Sequence, residues 1–315
     1  MTCLVTILIP TYNRAEFLRE AIKSAVTQTH QELEIIVLDD ASPDETALVV
    51  AEFSDDPRLR YVCHPNNLGI VGNWRAGIES AQGEFLCLLH DDDTFEPTFV
   101  ENLLRPMQND TRLILSFCDH WVMDTEGQRN VQKTEEASKR FYRRALQQGN
   151  LVDFAQSALV DNSLPVGATL FRKSMIPLDF IDEQAKGAID AWLFLQCVNT
   201  GCAAYYVSER LMNYRVHSGG MSASMPIHMA EGHLFRFKSI LSDTNLARIH
   251  PKIRQRMAET LTAYGIALLV LGKRSDARVA LRQAMHISAS HRTTVAYALA
   301  CGGLIGTHVA AIVRH

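Results

Sequence analysis

The chain has 315 residues, 47% of them hydrophobic and 21% charged, which excludes a disordered polypeptide and leaves room for more than one ordinary core. Its formal net charge of -4 gives no polycationic footprint, so nucleic acid is not expected as a partner. Seven cysteines, with no C-x-x-C and mostly in apolar runs, argue against a disulfide scaffold and fit free thiols in a reducing, cytoplasmic compartment.

The opening MTCLVTILIPTYNR lacks a basic n-region and a small-residue cleavage site, so it reads as a strand, not a signal peptide. Val5–Pro10 is a β-branched run ended by proline, and residues 15–28 place Leu18, Ile22, Ala25 and Val26 on one helical face. Glu34–Leu38 is apolar almost throughout, as a strand covered on both faces should be. Ser42-Pro43-Asp44-Glu45 then has the form of a capping box, with Ser42 as N-cap and Pro43 opening a helix. Strands follow at 59–62, 85–89 and 113–117, with helices over 70–81 and from Pro97. Residues 124–150 read as a loop and an exposed helix covering the sheet. From Asp190 a buried helix leads to a strand over 203–207, and residues 257–285 form two helices meeting near Gly272–Ser275. This alternation predicts an open, mostly parallel twisted α/β sheet flanked by helices, with a helical C-terminal extension.

In such sheets ligands bind beyond the carboxyl ends of the strands. That rule brings three polar clusters to one rim: Thr11-Tyr12-Asn13-Arg14, then Asp39-Asp40, then His90-Asp91-Asp92-Asp93. The segment GEFLCLLHDDDTFEP ends an apolar strand with three mutually repelling carboxylates, for which packing gives no reason. The usual glycine cradles are missing, since neither G-x-G-x-x-G after the first strand nor G-x-x-x-x-G-K-[ST] occurs. A nucleotide diphosphate would instead be held through a divalent cation, Mn2+ or Mg2+, on the carboxylates. Adjacent side chains of an extended segment point to opposite faces, so not all three aspartates can be ligands.

The segments VTILIPTYNR, EIIVLDDASPDET, NNLGIVGNWRAGIESAQGEFLCLLHDDD, AIDAWLFLQCVNTG and LMNYRVHSGGMS, in that order, resemble a family 2 glycosyltransferase of the GT-A fold over residues 4–222. The resemblance implies a nucleotide-sugar-binding half at 1–120, an acceptor-binding and catalytic-base half at 121–222, and a helical extension at 223–315. It implies that Pro10, Thr11, Tyr12 and Arg14 line the nucleotide, with Tyr12 near the base and Asp40 accepting from a pyrimidine N–H. Asp39 belongs to the same pair or serves the backbone. Asp91 and Asp92 match the ribose- and metal-contacting pair, Asp92 being the metal candidate, and Asn73 contacts the nucleotide or stays structural. His217, in Tyr214-Arg215-Val216-His217, approaches the metal or diphosphate in some relatives, with an ordinary loop histidine as the alternative. Arg215 could offset phosphate charge. Gly219, Gly220 and Ser222 form a closing loop or a plain turn. The segment 167–172 lies beside an acceptor cleft, or is a core strand with an exposed Arg172.

The chain departs from the family at two places. His90 stands where an aspartate is usual, and Ile189 replaces the acid before Asp190. Asp190 remains as the expected general base, and a carboxylate at a helix start is kept ionised by the helix dipole. The expected activity is an inverting transfer from a UDP- or dTDP-linked sugar to a hydroxyl of a glycan or lipid-linked acceptor, in cell-surface polysaccharide synthesis. The alternatives are a non-catalytic nucleotide-sugar-binding protein and a nucleotidyltransferase. Residues 294–313 are apolar over nearly a membrane's span, which suggests peripheral contact at the inner face of the membrane, or a helix packed on the preceding hairpin.

Overall fold

The computed structural model describes residues 3–177, 182–217 and 226–302. Four parallel strands open the chain: β1 (Val5–Thr11), β2 (Leu33–Asp39), β3 (Leu59–Cys63) and β4 (Phe85–Leu88). Helices α1 (Ala15–Val26), α2 (Thr46–Ala51) and α3 (Gly69–Ser80) connect them. Next come β5 (Thr94–Phe95), α4 (Phe99–Asn109), β6 (Leu113–Met123), α5 (Val131–Arg140), β7 (Gly149–Asn150), β8 (Thr169–Arg172), α6 (Ile189–Asn199) and β9 (Ala203–Arg215). The sheet order is β3-β2-β1-β4-β8-β6-β9-β5, with β7 also on β9. Strand β8 runs antiparallel between β4 and β6, whereas β6 and β9 are parallel. The architecture is therefore the expected open, mostly parallel sheet.

Two compact units divide the chain without following its order. The first comprises Met1–Ile181 and Gln196–His217, the second Asp182–Leu195 and Ser218–His315. The sheet lies in the first. Its core joins Ile7, Ile9, Ile35 and Val37 of the strands to Leu18 and Ile22 of α1 and to Phe99, Leu103 and Met107 of α4. Among the described residues the second contains the start of α6 and the helices α7 (Pro226–Ser242), α8 (His250–Val270), α9 (Arg274–Ile287) and α10 (His291–Cys301). Gly272, at φ +76°, ends α8. Its N–H donates to Leu269 O and that of Lys273 to Leu268 O, the Schellman pattern that a left-handed glycine allows. No described helix is long and apolar enough to cross a membrane. Residues 303–313 of the apolar C-terminal segment, and Gly219, Gly220 and Ser222, lie outside the described residues.

Three local expectations are corrected. The capping box at Ser42 does not form, and α2 starts at Thr46. Ser42 Oγ instead accepts the Asn13 N–H at 2.9 Å, while Asp44 accepts from the N–H groups of Thr46 and Ala15. Tertiary bonds between two strand-end loops thus outcompete the local cap. Strand β6 runs to Met123, six residues past the expected end, because Asp119 and His120 are buried within it. Arg172 is buried rather than exposed, donating to the carbonyls of Leu113, Met107 and Asp110 and to Glu84.

The turn into β4 depends on the missing side chain of Gly83. A Cβ there would stand 2.6 Å from both Thr6 N and Phe85 O, and the Gly83 N–H already donates to Thr6 Oγ1 at 2.9 Å. Gly83→Ala is expected to destabilise the chain by about 2 kcal/mol through this overpacking; a urea-unfolding midpoint equal to wild type would contradict it.

Candidate functional site

The rim clusters do converge, because β2, β1 and β4 are adjacent and parallel. Two left-handed residues shape the loops beyond the strands, Asn13 at φ +55° and Ala41 at φ +63°. For alanine this conformation is strained, and such strain gathers at functional sites. Asp40 is buried; its N–H donates to Thr11 O at 3.0 Å, and its Oδ1 accepts the Leu68 N–H at 2.6 Å, beside the start of α3. Asp39 accepts from the Ser42 N–H at 2.9 Å and from Tyr61 OH at 2.5 Å, so both its oxygens hold the loop.

The guanidinium of Arg14 lies between two of the three aspartates. Its Nη1 is 3.1 Å from Asp91 Oδ1 and 2.9 Å from Asp92 Oδ2. His217 Nε2 stands 3.0 Å from the same Asp92 oxygen, and the His217 ring packs edge-on against Phe17 at 4.9 Å. Asp93 turns the other way, with His90 Nδ1 at 3.3 Å and the Arg215 N–H donating at 2.9 Å. Arg215 is itself buried. It donates to the carbonyls of Asp92, Asp124 and Thr125 and pairs with Glu20. Its donors thus anchor the acidic loop instead of facing a phosphate.

Electrostatics divides the three carboxyls. Burial pushes Asp91 up to about 6, although Arg14 opposes the shift. Burial also raises Asp93 despite its bond to His90. For Asp92 burial works in the same direction, but His90, His217 and Arg14 together outweigh it and hold Asp92 below the usual carboxylate range. His90 shows the converse. Burial would keep it neutral, yet its bond to Asp93 and the surrounding acids raise it to about 9. Arg14 and a proton on His90 thus supply the positive charge that the aspartates demand.

One donor atom each from His90, Asp92 and Asp93 lie within 4.8 Å of one another. Two carboxylates and one imidazole suit Mn2+, and the carboxylates alone suit Mg2+, so this donor set fits a divalent cation. Binding through His90 would displace its proton, which makes affinity rise with pH. His217, expected near the metal, stands at the Asp92 carboxylate, its Nε2 within hydrogen-bond distance of Oδ2.

Other expected residues stand as follows. Tyr12 is 49% exposed at the rim, while Pro10 and Thr11 close β1. Asn73 is buried on α3, donating to Leu38 O at 3.1 Å with its oxygen 3.0 Å from His64 Nε2. Asp190 belongs to the second compact unit, in the first turn of α6, where its Oδ1 accepts the Ala191 N–H at 2.7 Å.

The first unit also holds a cluster that motif reading missed. Asp119 on β6 is buried with Arg143, Ser138 and Arg210. These four line a cavity of about 650 Å³ together with Trp121 and Tyr206. The signal was an acid inside the apolar run LILSFCDHWVM, which needs a buried cation.

The α/β sheet, flanked by helices and with carboxylates gathered at its strand ends, is similar in arrangement to that of the GT-A glycosyltransferases. The model of glycosyl transferase family 2 matches residues 6–160, just under half of the chain. EpsH of Bacillus subtilis, which carries a glycosyltransferase name, is 26% identical over 246 residues, 77% of this chain and 68% of that protein. The GalNAc(5)-diNAcBac-PP-undecaprenol beta-1,3-glucosyltransferase of Campylobacter jejuni is 30% identical over 167 residues, 50% of this chain and 53% of that one. This chain thus spans about two thirds of the first relative and about half of the second. Two solved structures share the fold. S. aureus TarS 1-349 in complex with UDP-GlcNAc matches with a TM-score of 0.67 at 18% identity, covering 93% of this chain and 83% of that one. The mannosyltransferase PcManGT of Pyrobaculum calidifontis, with GDP-Man and Mn2+, matches with a TM-score of 0.57 at 16% identity, covering 98% and 82%.

The raised Asp91 carboxyl has a consequence for stability. Because its folded value of about 6 lies above the unfolded one, its favourable contribution is complete below the unfolded value and is lost as pH rises through 6. Asp91→Asn is therefore expected to raise the stability of the metal-free protein at pH 7.5 by on the order of 2 kcal/mol, and to change little at pH 4. Urea unfolding at the two pH values checks this; a variant less stable than wild type at pH 7.5 contradicts it.

Proposed function

We propose that the chain is an inverting, metal-dependent glycosyltransferase that moves a sugar from a UDP- or dTDP-linked donor to a hydroxyl of a glycan or lipid-linked acceptor, in cell-surface polysaccharide synthesis. The observation that carries this reading is the meeting of Arg14, Asp91, Asp92 and His217 at one sheet edge, beside the loops of Tyr12 and Asp40. A carboxylate at the position of Asp40 reads the N–H common to uracil and thymine. Tyr12, exposed at the rim, offers a ring face to the base. Asp91, raised to about 6 and so mostly ionised at neutral pH, would accept from ribose hydroxyls. TarS, solved with UDP-GlcNAc, and the Campylobacter enzyme, named for an undecaprenol-linked substrate, support the donor and acceptor classes.

Asp92, with His90 and Asp93, would hold the divalent cation, which supplies charge stabilisation to the departing nucleoside diphosphate. His217 fixes the carboxylate of Asp92 through its hydrogen bond. Arg14, which spans two carboxylates, would turn toward phosphate oxygens once those acids are otherwise neutralised. Asp190 would take the proton of the acceptor hydroxyl as it attacks the anomeric carbon from the face opposite the leaving group. A single displacement inverts the configuration and needs no covalent enzyme intermediate.

The test uses UDP-linked hexoses with Mn2+, following UDP release and the anomer of the freed sugar by proton NMR. An α-linked donor should give the β-anomer first, and α-first release contradicts inversion. Asp190→Asn should slow turnover roughly 10²–10⁴-fold with the affinity for UDP and Mn2+ retained. Binding without UDP release from any donor would favour a non-catalytic nucleotide-sugar-binding protein.

A further inference from the structure

Arg236, on α7 in the second compact unit, is 1% exposed, and neither its Nε nor its Nη1 has a hydrogen-bond partner. A desolvated guanidinium is costly unless opposite charge lies close to it, so its surroundings identify what it serves. Helix α7 rests directly on the segment that leads into α6. A Cβ at Gly232 would stand 2.0 Å from Ala185 O and 3.0 Å from the Cβ of Ala188, and one at Gly187 would be 3.0 Å from Met229 Cγ. Further along, the Phe235 ring meets Trp192 at 4.7 Å. Met229, Gly232 and Arg236 are spaced by three and four residues, so they share one face of α7. That face is fixed against residues 185–192, and Asp190 lies within this stretch.

Of the carboxylates, Asp190 is the one that acts on both Arg236 and His233. Burial lowers Arg236 to about 10 against the opposing effect of Asp190, so it stays cationic at neutral pH. His233 Nδ1 also lacks a partner, and burial with the nearby Arg236 charge holds its imidazole neutral, at about 4. Lys186, before α6, is tied to Glu231 on α7, which also accepts from Tyr264 OH on α8. Arg256, on α8, adds positive charge that Arg236 senses. The inventory leaves Arg236 as the buried cation matched to Asp190.

We propose that Arg236 is a positioning residue, a buried guanidinium whose charge acts through Asp190 to fix the carboxylate that takes the acceptor's proton. This rests on the reading of Asp190 as the base. Gly232 is part of the device, because only a residue without a side chain lets α7 lie this close to Ala185 and Ala188, just before Asp190.

The experiment is a double-mutant cycle on the full chain with Mn2+, reading kcat and KM for UDP release from UDP-linked hexoses. Arg236→Met should lower kcat roughly 10–100-fold, as loss of an orienting partner does at other sites, leave the donor KM unchanged, and be largely rescued by Arg236→Lys. In the Asp190→Asn background Arg236→Met should cost nothing further, since residues acting as a unit are non-additive. An equal loss in both backgrounds, or no rescue by lysine, overturns the proposal; if Arg236→Met does not fold, Arg236→Gln takes its place in the cycle. Full turnover by Asp190→Asn alone would instead remove the base assignment itself.

Discussion

Successive carboxylates at the end of a buried strand repel one another, and the guanidinium of Arg14 between Asp91 and Asp92 is what lets this rim exist in the folded chain. It begins α1, directly after the loop that leaves β1, so the first turn of the fold is tied to the fourth strand. His217 reaches the same aspartate from beyond β9, and Arg215 holds the loop from beneath. Three chain segments, the start of α1, the acidic loop and residues 215–217, are therefore fastened around charges that would otherwise drive the loop apart. The residual cost is visible in Asp91 and Asp93, both held above the usual carboxylate range by burial. A site kept at some expense of stability is what a binding function leaves behind.

The backbone carries part of that expense. Ala41, left-handed without the freedom of glycine, and Asn13, in the same conformation, lie in two loops joined by the bond from Asn13 N–H to Ser42 Oγ. These two turns bring Tyr12 and Asp40 to the same edge as the acidic loop. The sheet order makes the arrangement possible, since β1 sits between β2 and β4. Shifting any one of these strands would separate the loops of Tyr12 and Asp40 from the acidic loop.

Much of this could be read from the residues. Apolar strands broken by polar clusters gave the parallel half of the sheet, and the rule of strand carboxyl ends gave the rim. What escaped reading depended on partners distant in sequence. Ser42 looks like a helix cap until Asn13 claims its hydroxyl. Arg172 looks like a surface residue until three carbonyls of the segment 107–113 surround it. Arg215 looks like a phosphate ligand until its donors are counted against Glu20 and three carbonyls. Asp119 is a buried acid whose cations, Arg143 and Arg210, come from later segments. Local pattern reports which residues prefer an element; it does not report which charges the fold will pair.

The central claim is that this edge holds a divalent cation and a nucleotide diphosphate together, each needing the other to balance the aspartates. Thermal unfolding of the full chain with UDP-linked sugars, Mn2+, both or neither tests it most directly. The account predicts a rise in Tm with both present that far exceeds the sum of the separate effects and disappears in Asp92→Asn. Stabilisation by the nucleotide sugar that is unchanged by EDTA would contradict it.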